Sequence, residues 1–316
     1  MKYLLIAILL FQFACQASVP QVPLVIPQTK ADRKPLTRVP VKFEISPNYE
    51  KQVREDGSTF DHKPRVVTVD EKAGKYEFRW RGDDGKEKVI KYQRLGAIDV
   101  LVSAKVDKKE NSVFLYTYRV QNLPTSSTRL SGFTVQTFAE QAKPIELDFR
   151  NIVIADMFNR IPGFAEGKWW SYGILERYRP VINPGSKIDF QLESPAFPGI
   201  VGCKADGGEF GSKGAGEEPP PEFDKFFLGT KDWPYGYTIG PVDKLSQMNK
   251  SERAKYLLEN LPKFVEAGWM ADDTSKIYQA IPEKGDLASA LEQSKKDHEK
   301  EYVTNEVFQI IDGLNS

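Results

Sequence analysis

Between residues 41 and 200, apolar and polar side chains change places every second residue, and no other property of the chain restricts its fold as much. Tyr76, Phe78 and Trp80 alternate with Glu77, Arg79 and Arg81, and Phe114, Tyr116, Tyr118 and Val120 share one face. The same rhythm runs through Val100 to Val106, Ile145 to Phe149, and Ile188 to Leu192. A period of two means strands with one buried and one wet face. Turn signals punctuate the runs: Asp56-Gly57, Asp83-Asp84-Gly85, Asn122-Leu123-Pro124 and Asn183-Pro184-Gly185. Short antiparallel strands that are apolar on one side must stack on a second sheet. The expected fold is therefore mainly β: an antiparallel β-sandwich of about eight strands, immunoglobulin-like or jelly-roll-like, over residues 41–242. A barrel is the alternative. Residues 157–182 break the rhythm and read as a long loop or short helix across one end, and the Gly- and Glu-rich run 204–224 reads as a mobile loop or linker.

From residue 243 the period becomes helical. Asn249 or Ser251 can cap a helix carrying Ala254, Leu257, Leu258 and Leu261, which Pro262 should kink or restart. Ile277 and Ala280 mark a short helix ahead of Pro282, Leu287 with Ala290 and Leu291 opens another, and Thr304 caps a last one striped by Val307, Ile310, Ile311 and Leu314. These helices make a small C-terminal α-helical unit, 243–316.

At the other end, Lys2 followed by the apolar run Tyr3–Phe13 reads as an export signal over residues 1–17, too short to span a bilayer. Two processing readings are open. Cleavage after Ala17 places Cys15 and Ala17 at the small-residue positions; in the other reading Cys15 is the lipidated N-terminus, although Gln12 and Phe13 fit that motif badly. Pro20, Pro23, Pro27, Pro35 and Pro40 make residues 18–40 an extended tether without internal hydrogen bonds. The expected location is exported: periplasmic, outer-envelope or extracellular, with membrane contact only through a lipid on Cys15.

Zero net charge over 316 residues argues against a globally basic nucleic-acid binder, so no nucleic-acid partner is expected. The charge is uneven: residues 18–150 carry 24 basic and 18 acidic side chains, while the two later thirds are mildly acidic. A basic front half could face an anionic envelope polymer; outward strand faces need charges in any case.

Chemistry is sparsely signposted. His62 and His298 are the only histidines, and Cys203 has no cysteine partner once Cys15 is removed or lipidated. No nucleophile elbow, phosphate loop, zinc helix or dinucleotide fingerprint occurs. No cofactor and no catalytic residue is therefore assigned. The competing enzymatic reading is a carbohydrate-active hydrolase that uses paired carboxylates, Glu166 and Glu176, beside Trp169 and Trp170. Asp206, Glu209, Glu217 and Glu218 are oxygen donors without the spacing of a calcium loop, so no metal is assigned, and a solvated acidic loop accounts for them. Arg81-Gly82-Asp83 spells an adhesion tripeptide that a hairpin turn explains equally well. The binding candidates are aromatic: Trp169, Trp170 and Tyr172 in one group, Trp233 and Tyr235 with Tyr237 in another. Such rings stack on sugars or grip a partner, and they also build cores.

Several stretches together resemble exported bacterial proteins of uncharacterised role. They are Tyr76-Glu77-Phe78-Arg79-Trp80 before Asp83-Asp84-Gly85-Lys86, then Tyr116 to Asn122 followed by Ser126 and Ser127, then Pro184-Gly185 with Phe190, Ser194 and Pro198-Gly199, and last Trp233 to Pro241. The resemblance spans about residues 70–241 and implies a secreted β-sandwich; it carries over no site residue. The functional expectation is a secreted or envelope-tethered, non-catalytic binding or structural module. Its partner would be an envelope glycan or an envelope protein, the latter docking through the C-terminal helices in a third reading.

Overall fold

The computed structural model describes residues 33–37, 51–53, 59–61, 64–82, 84–94, 96–145, 151–155, 168–174, 182–207, 221, 223, 233–281 and 287–316. Among them the chain forms β1 (Lys51–Val53), β2 (Thr59–Asp61), β3 (Arg65–Asp70), β4 (Lys75–Arg81), β5 (Glu87–Gln93), β6 (Val100–Lys108) and β7 (Phe114–Asn122). There follow β8 (Leu130–Thr137), β9 (Lys143–Ile145), β10 (Asn151–Ala155), β11 (Lys168–Ile174), β12 (Lys187–Ser194), β13 (Phe197–Gly207) and β14 (Tyr235–Val242). Five helices close the chain: α1 (Asp243–Gln247), α2 (Lys250–Glu266), α3 (Asp272–Ala280), α4 (Leu287–Glu299) and α5 (Asn305–Asn315). The protein is thus mainly β with a C-terminal helical part.

The described strands make four sheets, ordered β1-β2, β3-β4-β5, β6-β7-β12-β9 and β10-β11-β8-β13-β14. Every ladder between them is antiparallel. The two larger sheets share one hydrophobic core, to which Val100, Tyr116, Tyr118, Phe190 and Leu192 come from one and Phe133, Val135, Cys203 and Ile239 from the other. Rings meet across it: the Phe133 centroid lies 5.6 Å from that of Tyr118 and 5.5 Å from that of Phe190.

The strand count exceeds the eight expected, for two reasons. The segment 168–174 is not a loop but β11, paired with both β10 and β8; aromatic residues are enriched in strands. The alternation at Tyr76, Phe78 and Trp80 belongs to a different sheet. With Ile90 and Tyr92 these rings form a second, smaller core, capped by Phe223 edge-on to Phe78 at 5.1 Å. The tight turn Gly82–Lys86 joins β4 to β5, with Gly85 at φ 73° donating to the Gly82 carbonyl, so hairpin closure accounts for the described part of the adhesion-like tripeptide.

The helices join the main core. Leu257, Leu261 and Phe264 of α2 and Val307, Ile310 and Ile311 of α5 are fully buried in it. The apolar stripes that could have docked on another protein are therefore consumed within the chain. Asn249 caps α2 in a reciprocal pair with Glu252, as its sequence position suggests. Pro262 does not break the helix: α2 runs unbroken from Lys250 to Glu266. The proline forfeits one backbone bond, and burial of Leu261 and Phe264 on either side outweighs that loss. Thr304 holds the N-cap position of α5, but its hydroxyl makes no capping bond.

Strand β6 is the edge of its sheet, and α5 covers that edge. The Gln309 side-chain amide accepts from the Val106 N–H at 3.0 Å and donates to the Val106 carbonyl at 3.1 Å. Glu306 accepts from the Ala104 N–H at 3.0 Å. Two helix side chains thereby stand in for a neighbouring strand, removing an edge that would otherwise pair with another chain.

Residues 33–37 do not behave as a tether free of hydrogen bonds. Leu36 donates to the Val100 carbonyl at 2.8 Å, and Thr37 and Tyr235 exchange backbone bonds of 3.0 and 3.1 Å. The segment spans the outer edges of β6 and β14, and Arg33 anchors it to Glu306 at 3.0 Å.

Candidate functional site

The junction of those two edges holds a cleft of about 190 Å³. One wall is β14, whose period of two sends Tyr235 and Tyr237 to the same side. A second is the end of α2, where the helix terminates by placing Gly268 at φ 69°. Gly268 donates to the Val265 carbonyl and Trp269 to the Phe264 carbonyl, at 2.9 and 2.8 Å. This pair of bonds turns the chain back on itself, and the usual apolar contact completes it, with Phe264 and Trp269 centroids 5.8 Å apart. The turn is what sets Glu266 and Trp269 beside the tyrosines. Val102 and Lys34 to Thr37 complete the lining.

Glu266 sits in the last turn of α2, where the helix dipole disfavours a carboxylate. It finds a local partner in the Tyr237 hydroxyl, which hydrogen-bonds to it. Burial, reinforced by the Glu266 charge, pushes the Tyr237 phenol up to about 12, so it stays a neutral donor at ordinary pH. The cleft is therefore lined by aromatic side chains, two of them phenols, with one carboxylate and Lys34. Its volume is below the roughly 300–1,000 Å³ of pockets that enclose a whole drug-sized ligand, so it suits a single residue of a longer molecule.

The residues singled out from sequence fall in different places. Tyr235 lines the cleft. Trp233 lies just before β14, with its ring 3.8 Å from the Lys204 ammonium, and is half-buried there. Lys204 is buried and lies 4.0 Å from Asp206. Register sets Trp169 opposite Gln136. Trp170 and Tyr172 pair with Val135 and Phe133 in the same ladder. Glu166, Glu176, Glu209, Glu217, Glu218, His62 and Cys15 lie outside the described residues, as does the 1–17 segment. Among the described residues no group of three His, Cys, Asp or Glu could hold a metal ion, and no helix is long and apolar enough to cross a membrane.

His298 stacks on Phe308 with centroids 5.7 Å apart. Cys203 is fully buried on β13 and its thiol is pushed well up by that burial, the opposite of what a nucleophile needs. In a Cys15→Ser variant, a thiol reagent is expected to label nothing in the folded protein and one cysteine per chain in denaturant; labelling without denaturant would show that the β13 region opens.

Lys34, Val102, Glu266 and Trp269 were not legible as site residues. The one available signal was Ala267-Gly268-Trp269 after an apolar helix, which marks a helix terminus and a buried ring but not what faces them.

No family model matches the chain, and no curated protein does either. Among solved structures the chain is similar to an uncharacterized protein from Nocardia farcinica whose crystal structure reveals an immunoglobulin-like fold. The similarity has 16% identity and a TM-score of 0.26, and covers 42% of this chain and 94% of that one.

Proposed function

We propose that this protein is an exported, non-catalytic binding module of the cell envelope that holds one sugar residue of a glycan in the cleft between β6 and β14. The observation that carries the reading is the wall of Tyr235, Tyr237 and Trp269 around Glu266. Aromatic rings suit the C–H faces of a sugar, and a carboxylate hydrogen-bonded to a phenol suits its hydroxyls. Export, with or without a lipid on Cys15, rests on the N-terminal sequence. The architecture that goes with this reading is an immunoglobulin-like or jelly-roll-like sandwich, supported by the Phe133 contacts with Tyr118 and Phe190 between the two larger sheets.

The test is a thermal-shift and calorimetry panel of neutral polysaccharides and peptidoglycan fragments. A ligand at 100 times its dissociation constant should add about 2.7 kcal/mol to stability. Glu266→Gln and Tyr237→Phe are each expected to weaken that ligand at least about 10-fold, the loss of one charge-assisted hydrogen bond, while melting close to the wild type. Absence of any shift, or unchanged affinity in both variants, would sink the assignment.

A further inference from the structure

A second cleft lies on the three-stranded sheet, away from β14 and α2. It has a volume of about 350 Å³ and is lined by Val69, Lys75, Glu77, Lys91 and Gln93, together with the buried Tyr76 and Tyr92. Val69 is 58% exposed and is the exposed large hydrophobic side chain among the described residues.

The charges of this sheet divide in a particular way. Arg79 donates to Glu77 and to Glu87, and Arg65 donates to Glu87. These pairs neutralise one end of the face. Asp70, opposite Lys75 in the ladder, accepts from the Ala73 N–H at 2.9 Å within its own turn. Gln93 donates to the Ala73 carbonyl and accepts from Thr128. Lys75 and Lys91 remain. Both are exposed, and neither makes an ion pair among the described residues. Lys75 pairs with Gln93 and Lys91 with Glu77, so the two lysines are diagonal neighbours on one face, about 7–8 Å apart at the backbone. Two ammonium groups at that spacing can close on one carboxylate from both sides.

We propose that this cleft is a second binding site, and that its ligand is a carboxylate-bearing sugar residue of an anionic polysaccharide. The anion follows from the two uncommitted lysines, since Glu77 is already satisfied by Arg79. The sugar, rather than an acidic peptide, follows from the backbone. β4 is the central strand and spends its ladder groups on β3 and β5, so a peptide lying across this face, rather than along the outer edge of β5, finds no main-chain partners of the kind strand addition uses. What the face offers is side-chain charge beside the apolar surface of Val69. This site does not depend on the cleft at β14.

The experiment uses the full chain and polygalacturonate as probe, with neutral dextran, poly-glutamate and polyphosphate alongside. Wild-type protein should bind polygalacturonate, bind it markedly more weakly at 200 mM than at 50 mM salt, and ignore dextran. Lys75→Glu/Lys91→Glu should lose at least about 10-fold in affinity, as expected when both cations of an anion site are reversed. A control with the same charge change elsewhere, Lys255→Glu/Lys276→Glu on α2 and α3, should bind as the wild type does. Both pairs sit on exposed positions, so a thermal melt verifies that each variant is folded. Equal affinity in the cleft variant and the helix control would overturn the site. Binding of poly-glutamate or polyphosphate as tight as that of polygalacturonate would overturn the assignment to a carboxylated glycan.

Discussion

Phe133→Ala is expected to cost about 3–5 kcal/mol, the range for deleting a buried phenylalanine ring, and to give the largest loss of any single core substitution between the two larger sheets. Phe133 is fully buried on β8. Its ring meets Tyr118 of β7 and Phe190 of β12, both in the other large sheet. The neighbours cannot collapse into the space, because each is held by its own ladder: Phe190 pairs with Tyr118 across the β7–β12 rungs. The cost is thus transfer plus an unrelaxed cavity. Phe133→Leu keeps most of the volume and should cost about 1–1.5 kcal/mol. Urea denaturation of both variants is the check. An alanine variant within 1 kcal/mol of the wild type would mean that the sheets do not depend on this contact, and would count against a stacked arrangement.

Much of this was written in the local pattern. The period of two locates β4, β6, β7 and β12 to within a residue or two, because each has one face in a core and one in water. Asn249 announces α2 because a cap is a local bond between residues three apart. The pattern fails where the deciding interaction is distant. Nothing near Trp169 says that Gln136 will lie opposite it, so β11 reads as a break rather than as a strand. Alternation likewise cannot say which core a face joins, and Tyr76, Phe78 and Trp80 join the smaller one. Pro262 reads as a break on its own, since the packing that tolerates it comes from elsewhere in the chain. The cleft at β14 is the extreme case. Its walls come from residues near 35, 102, 236 and 267, brought together only by two sheet edges meeting a helix terminus.

Glu306 makes the second large test, because one carboxylate joins three parts of the chain. It is 1% exposed, near the start of α5. One oxygen accepts from the Ala104 N–H on the edge of β6, and the other accepts from Arg33 in the N-terminal segment. Glu306→Ala leaves a buried backbone N–H without an acceptor, at about 1–3 kcal/mol, and releases the Arg33 anchor. Arg33 is itself about one-third exposed and can take up water, so its share is smaller than that of a fully buried pair. The expected total is about 2–4 kcal/mol. Glu306→Gln separates the two roles. The amide oxygen still accepts from Ala104, whereas the NH2 that replaces the other oxygen cannot accept from Arg33; the ion pair and its hydrogen bond are lost and the covered edge is kept, so the cost should fall to about 1 kcal/mol or less. Hydrogen exchange gives the spatial readout: alanine should expose the amide of Ala104, with that of Val106 still held by Gln309, whereas glutamine should leave both protected. Equal destabilisation by both variants would place the stabilisation in the ion pair rather than in the covered edge. The edge reading has a further consequence. With Glu306 and Gln309 both removed, β6 regains a row of unpaired backbone groups on the rim of its sheet, so the double variant is expected to self-associate as well as to weaken.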